Sequence, residues 1–261
     1  MSQHRTTQEQ TLFQSVQDYY ATPSSLDYYS NQTRRRGLWG PEQAMVDRFM
    51  TAPGSVLDIG CGAGRESFEL ARMGFCVHGI DVTRPLLEEA RRIARDLALD
   101  VTFTQGDGSS LEFPDESFDY VLFFGQMIHH VPGRKNRIRL LTEAGRVVKS
   151  QGTILLTYHD WDIQKDHAPW GWQDGHHCRE PQPGELPQTH VALEPGDYFS
   201  RDCSGTLTDT FGFFHRFTQD EIEGEVVEAG LLIVDWASFA TIGEEVDDFW
   251  KPTRVLVLHP Q

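Results

Sequence analysis

Long hydrophobic runs are missing from this 261-residue chain. No stretch approaches the roughly 18 consecutive apolar residues of a membrane span. The opening, MSQHRTTQEQ, is polar where a secretory leader would carry an apolar core. Cysteine is sparse as well: Cys61, Cys76, Cys178 and Cys203 are scattered, with no CxxC pair and no density fit for a disulfide scaffold. These absences lead to the expectation of a cytoplasmic protein. Positive charge is also short, with 23 basic against 39 acidic residues and a net charge of −16, which repels a polyanion over most of the surface. Basic residues gather only at Arg34, Arg35 and Arg36 and again between Arg134 and Lys149; the second group lies on a predicted helix and reads as a solvated face, with room to hold a small anion. The phosphate-binding pattern GxxxxGK[ST] is absent altogether.

What is present is an ordinary globular composition, 39% hydrophobic, with a regular alternation of elements. Phe13, Val16 and Tyr20 share one face of a helix over residues 8–20, and Pro41 opens a short helix over 41–50. From Ser55 on, strand-like runs alternate with helical stretches: SVLDIG, a helix from Arg65 to Met73, FCVHGID, and a helix from Arg84 to about Leu97. Then come VTFTQGD, FDYVLFF, a helix from about Asn136 to Val148, and TILLTY. Such alternation predicts an α/β fold on a parallel sheet. Residues 159–215 differ, holding six of the eleven histidines and five of the thirteen prolines with few apolar runs, so they read as an elaborated loop or cap rather than sheet. Thr218 and Glu221 then form a capping box for a helix ended by Gly230, and LLIVDWASF and RVLVLHP supply two further strands.

Gly60, Gly62 and Gly64 stand at alternate positions in a strand-to-helix turn. Glycine there permits positive φ and removes the Cβ atoms that would hold a ligand off the main chain. Position 65 is Arg, so the dinucleotide fingerprint GxGxxG is broken and a pyrophosphate is disfavoured. Asp81, ending the second strand, can accept from both hydroxyls of a ribose, or simply complement a helix dipole. Asp107, ending the third strand, can accept from an adenine amino group while the Gly108 amide donates to the ring, or can close an Asx-turn.

The chain resembles the class I S-adenosylmethionine-dependent methyltransferases of small-molecule type. VLDIGCGAG is similar to that family's first motif, GID to its second-strand acid, and QGDGSSLEFPDESFDYVLFF to its adenine and fourth-strand motifs. The likeness runs from about Ser55 to Tyr158, with KSQG in place of the usual KPGG turn. It implies a Rossmann-like, seven-stranded, mostly parallel sheet with helices on both faces, an N-terminal helical cover (1–50), a core (51–158 and 216–261) and a substrate cap inserted after the fifth strand (159–215). It implies S-adenosylmethionine as cofactor, with Asp58, Gly60, Cys61 and Gly62 at its methionine portion, Asp81 at the ribose, and Asp107 and Gly108 at the adenine. Phe124 and Gly125 would border the amino group and sulfonium. Tyr20, Tyr28 and Tyr29 with one arginine of Arg34–Arg36 would cover it.

Gln126, His159 and Tyr20 face the substrate on this reading. A base for a weakly acidic nucleophile would be His129 or His130, with Tyr158 and His159 behind them and at least one of the two histidines packing structurally. The cap's histidines and cysteines, including His176 to Cys178, lack zinc-ligand spacing, so no metal is expected. The expected substrate is a small molecule with an O, N or S nucleophile. Two alternatives stand beside it: a tRNA wobble-uridine (carboxymethyl) methyltransferase, from a fainter likeness over residues 194–230, and a catalytically silent cofactor-binding protein. Neither nucleic acid nor membrane is an expected partner, and the oligomeric state is open.

Overall fold

The computed structural model describes residues 7–164, 193–203, 206–242 and 252–261. Helices α1 (Thr7–Tyr20), α2 (Pro23–Arg35) and α3 (Gly40–Phe49) precede strand β1 (Ser55–Ile59). Then follow α4 (Arg65–Arg72), β2 (Cys76–Asp81), α5 (Arg84–Leu97), β3 (Val101–Gln105) and β4 (Phe118–Phe123). A 3₁₀ turn (Met127–His130) leads to α6 (Arg134–Val147), β5 (Val148–His159) and the short α7 (Trp161–Gln164). The chain resumes with β6 (Asp197–Cys203), β7 (Thr206–His215), α8 (Gln219–Glu228), β8 (Leu231–Ser238), the short α9 (Phe239–Ile242) and β9 (Thr253–Pro260).

Among the described residues one seven-stranded sheet runs β3-β2-β1-β4-β5-β9-β8. The first five strands are parallel, and β9 and β8 are antiparallel. The central strands carry near-continuous apolar runs, broken at Asp58 of β1 and Asp119 of β4, because helices cover both faces. On one face Leu57, Ile59, Val121, Phe123, Ile154 and Leu156 meet α6 and α8; on the other, Val56, Leu122, Leu155 and Val257 meet α3, α4 and α9. The chain leaves β1 toward β2 and β3, then returns to β4 on the other side. The β1/β4 junction is therefore the topological switch point, where a crevice opens at the strands' carboxyl ends.

Two elements differ from the sequence reading. Residues 23–35 form a helix that the pattern analysis leaves out: Thr22 caps it by accepting from Ser25 N–H at 3.3 Å, but a stripe with little apolar content hides its period. Residues 197–215, expected to be loop rather than sheet, form the antiparallel β6–β7 hairpin. Its inward residues Phe199 and Phe213 pack with Leu12 and Val16 of α1. Gly212 lies so close beneath the Tyr19 ring that a Cβ would stand 2.6 Å from it, so the hairpin's fit depends on tertiary contact that local sequence does not announce. The four histidine and cysteine positions His167, His176, His177 and Cys178, and also His190, lie outside the described residues.

The hairpin is tied to the core by ion pairs. Arg137 of α6, fully buried, forks onto Glu225 of α8 at 2.6 to 3.1 Å and reaches Glu194, ahead of β6, at 3.0 Å. His215, ending β7, pairs Nδ1 with Asp197 at 2.6 Å and Nε2 with Glu221 at 3.0 Å. Burial disfavours a charged His215, yet these two carboxylates raise its pKa above the usual range. Glu194, Asp197 and His215 could between them reach one cation, but the Arg137 guanidinium already stands against Glu194. No described helix is long and apolar enough to cross a membrane.

Candidate active site

A cleft of about 1330 Å³, counting its open mouth, lies over the β1/β4 junction. Its floor is the turn after β1. Gly60 has φ of +77°, and a Cβ there would lie 2.1 Å from Met127 Cγ; Gly62, with φ of +52°, has no neighbour nearer than Leu86 Cδ1 at 4.0 Å and so borders open space. Asp81 braces this turn, with Oδ2 accepting from Gly62 N–H at 2.9 Å and Oδ1 from Thr83 N–H at 2.7 Å. The Thr83 hydroxyl and the Val82 N–H also act on this carboxylate, opposing the rise in pKa that burial causes. Asp107 and Gly108 form another part of the wall; Asp107 Oδ1 is spent on an Asx-turn, accepting from Ser109 N–H at 3.0 Å and Ser109 Oγ at 2.9 Å.

Phe124, Gly125 and Gln126 enter from the end of β4, and Cys61 from the glycine turn. Gln126 sits in the left-handed region at φ 56°, unusual for a side-chain-bearing residue. It is held there by Thr157 Oγ1, which accepts the Gln126 N–H at 3.2 Å and donates to Phe123 C=O at 3.1 Å. Gln126 is 8% exposed and its Nε2 has no partner; Gln32 Oε1, on α2, is a second buried polar atom without one. Both residues line the cleft, and such orphaned groups mark where a bound molecule completes the hydrogen bonding.

Above lies an aromatic wall of Phe13, Tyr20, Tyr28, Tyr29 and Trp39 from the N-terminal helices. Gln17 fixes α1 to the rim, donating to Val82 C=O at 3.1 Å. Arg34 turns away toward Glu89 at 3.3 Å, and none of Arg34–Arg36 lines the cleft; Arg65 does instead.

The four base candidates separate. His129 is buried and outside the cleft, its Nδ1–H donating to His215 C=O at 2.6 Å and its Nε2 accepting His159 N–H at 2.9 Å. With both nitrogens used, it is a brace between β5 and β7, kept neutral by burial. Tyr158 and His159 also lie outside the cleft: Tyr158 is buried against Phe217, and His159 Nδ1 meets Thr253 Oγ1 at 3.1 Å. Burial raises the Tyr158 phenol and lowers His159 to about 3. His130 is the member inside. Its Nδ1 faces Phe213 C=O at 3.4 Å, which assigns the proton to that nitrogen and leaves Nε2 to accept the Tyr20 O–H at 2.7 Å. Burial lowers its pKa to about 4, so the ring is neutral near pH 7.

Under the floor lies a carboxylate cluster that the sequence reading only partly saw. Asp58, 2% exposed, sits behind the wall and accepts from Ser67 Oγ at 2.5 Å; burial and then Glu66 push it up to about 8. Glu66, 8% exposed, lines the cleft with a pKa raised by burial. Arg65 contacts Glu66 and forks onto Glu42 at 2.7 and 2.9 Å. Burial and the nearby carboxylates also hold the Cys61 thiol protonated. The signal for Glu66 was its place one residue past the broken fingerprint, at the start of a helix.

Residues 56–152 match the family described as a methyltransferase domain. The chain is similar to methyltransferase GfsG of Streptomyces halstedii, 33% identical over 141 residues, covering 53% of this chain and 48% of that protein. It is similar also to the 27-O-demethylrifamycin SV methyltransferase of Amycolatopsis mediterranei, 30% identical over 154 residues, covering 53% and 55%. The chain thus spans about half the length of the curated relatives it matches. In fold it is similar to the CcbJ methyltransferase of Streptomyces caelestis, with a TM-score of 0.67 at 19% identity over 93% of this chain and 97% of that one. The PH0226 protein of Pyrococcus horikoshii gives 0.65 at 20% identity over 94% and 99%. Residues 56–152 are thus a match to a methyltransferase domain, and the seven-stranded sheet that completes them has the fold of the solved CcbJ methyltransferase.

Proposed function

We propose that the chain transfers a methyl group from S-adenosylmethionine to an O, N or S nucleophile of a small molecule, in the cytoplasm. One observation carries the reading: a single cleft joins the glycine turn and the acids of two strand tips to an aromatic wall bearing a neutral histidine. When bound, S-adenosylmethionine supplies an electrophilic methyl on a cationic sulfur. The residues present fit it. Gly60, Cys61 and Gly62, backed by Asp58, would receive the amino-acid portion, Asp81 the ribose, and Asp107 and Gly108 the adenine. Phe124, Gly125 and the ring of Tyr28 would close the sides, and the orphaned Gln32 and Gln126 amides would find partners.

The acceptor's share of the work falls to the opposite wall. Tyr20 and His130 form a donor and acceptor pair, with His130 Nε2 as the place for a proton leaving the nucleophile and Tyr20 oxygen as the point of contact. Gln126 Nε2 would orient a substrate oxygen. The helices α1 and α2 and the hairpin exclude water, so alignment supplies most of the acceleration. The cleft runs from the glycine turn to the aromatic wall, so the acceptor would enter beside the nucleoside under Tyr20 and His130.

Support for a small acceptor comes from charge. Among the cleft's described lining residues Arg65 carries the only fixed positive charge, and Glu42 and Glu66 take it. Arg134, Arg137, Arg146 and Lys149 on and after α6 are likewise held in ion pairs, which weakens this face as a site for tRNA. The test is incubation with S-adenosylmethionine and a metabolite extract, followed by mass spectrometry for a gain of one methyl group. Cofactor binding with no methylated product among thiols, amines, phenols and carboxylates would favour a silent binding protein instead.

A further inference from the structure

Four carboxylates, Glu42, Asp58, Glu66 and Asp81, crowd the floor of the cleft around the single guanidinium of Arg65. They come from four elements: α3, the end of β1, the start of α4 and the end of β2. The Arg65 fork is filled by Glu42, which is fully buried and also accepts from Trp39 N–H at 2.8 Å. Arg65 touches Glu66 with one nitrogen only, and Asp58 receives just the Ser67 hydroxyl. Asp81 is compensated by neutral donors alone, the backbone of Gly62, Val82 and Thr83 and the Thr83 hydroxyl. The remaining neighbour, the Cys61 thiol, is uncharged. A dry site does not hold this much uncompensated negative charge, so one carboxyl of the Asp58 and Glu66 pair stays protonated until a positive group arrives.

Of the pair, only Glu66 reaches the cleft. Its Oε1 lies 3.7 Å from where a Cβ on Gly125 would be, so the carboxylate borders the β4 tip opposite the glycine turn. We propose that Glu66 is the receptor for the positive charge on the ligand's amino-acid end, and that its occupation expels the proton that Asp58 and Glu66 share. This rests on the methyl-donor reading of the cleft. The balance is simple: a carboxylic acid and the ligand's α-ammonium group give a carboxylate paired with that ammonium and one proton released to solvent. Burial and then Glu66 push Asp58 up to about 8, and burial raises Glu66 as well, so affinity for the ligand's ammonium group rises with pH across the neutral range, by at most about tenfold per unit.

Calorimetry at about pH 7, in phosphate and in Tris, counts the protons because the two buffers differ in heat of ionisation. Three probes share the nucleoside: S-adenosylmethionine, S-adenosylhomocysteine, and 5′-methylthioadenosine, which has no amino-acid group. The first two are expected to release close to one proton and the third none. Glu66→Gln, which keeps shape and hydrogen bonding, should cut the release by at least half and weaken S-adenosylmethionine about tenfold, leaving methylthioadenosine unchanged. Equal heats in both buffers for S-adenosylmethionine would overturn the inference, as would equal proton release by methylthioadenosine or an unaffected Glu66→Gln. If S-adenosylmethionine fails to bind the wild-type protein at all, the methyl-donor reading falls first and this inference with it.

Discussion

At the scale of single residues, the two adjacent histidines are the clearest case of sequence equivalence resolved by folding. Both follow β4, both are neutral through burial, and nothing in MIHH tells them apart. The 3₁₀ turn points His129 at two backbone groups and His130 at the Tyr20 hydroxyl. His130→Ala is therefore expected to lower kcat by about 10²- to 10⁴-fold with the cofactor Kd unchanged. Tyr20→Phe should act in the same direction, and His129→Ala should lower the thermal midpoint instead. Turnover unaffected by His130→Ala would remove the assigned base. Gly60, Gly62, Asp81, Asp107, Gly108, Phe124, Gly125, Gln126, Tyr20 and Tyr28, each legible in the sequence as a strand-tip or cover-helix position, line one cleft. Tyr158 and His159 ended elsewhere, since β5 runs on past Tyr158 and pairs with β9, turning its last side chains away from the opening.

At the scale of elements, periodicity located what depends on local pattern and missed what depends on contact. The helix at Arg84–Leu97 was legible because Leu86, Ala90 and Ile93 make one buried stripe behind a proline in its first turn. Helix α2 was not, because what it buries is Ser25 and Thr33 rather than an apolar stripe, and the β6–β7 hairpin was not, because Phe199 and Phe213 find their apolar partners on α1. The hairpin's attachment carries its own pH dependence. His215 has its folded pKa raised, so its contribution is fully present below the ordinary histidine value and is lost as pH rises through the folded value. Thermal unfolding should show the wild-type midpoint falling above about pH 6.5. His215→Gln should lie lower at acid pH, by on the order of 2 kcal/mol for the lost charged hydrogen bonds, and stay flat across that window. A parallel decline in both proteins would mean that His215 does not carry the effect.

At the scale of the whole molecule, two features decide what can approach. The net charge of −16 opposes a polynucleotide, and Arg134, Arg137 and Arg146 of α6 are held in ion pairs, so filter binding with total tRNA near physiological salt should detect no specific complex. Tight, salt-sensitive retention would reopen the RNA alternative. The sheet order is the second feature: it brings three consecutive strand tips and the returning β4 to one edge, so residues from 60 to 130 converge on one cleft. That convergence carries the claim that the cleft receives S-adenosylmethionine, and calorimetric titration of wild type, Asp81→Ala and Gly62→Val with that molecule tests it most directly. The account predicts one site in the wild type, an affinity lowered about a hundredfold by Asp81→Ala through loss of on the order of 3 kcal/mol of hydrogen bonding, and no binding once Gly62→Val fills the open space over the turn. Equal dissociation constants for all three proteins would contradict it.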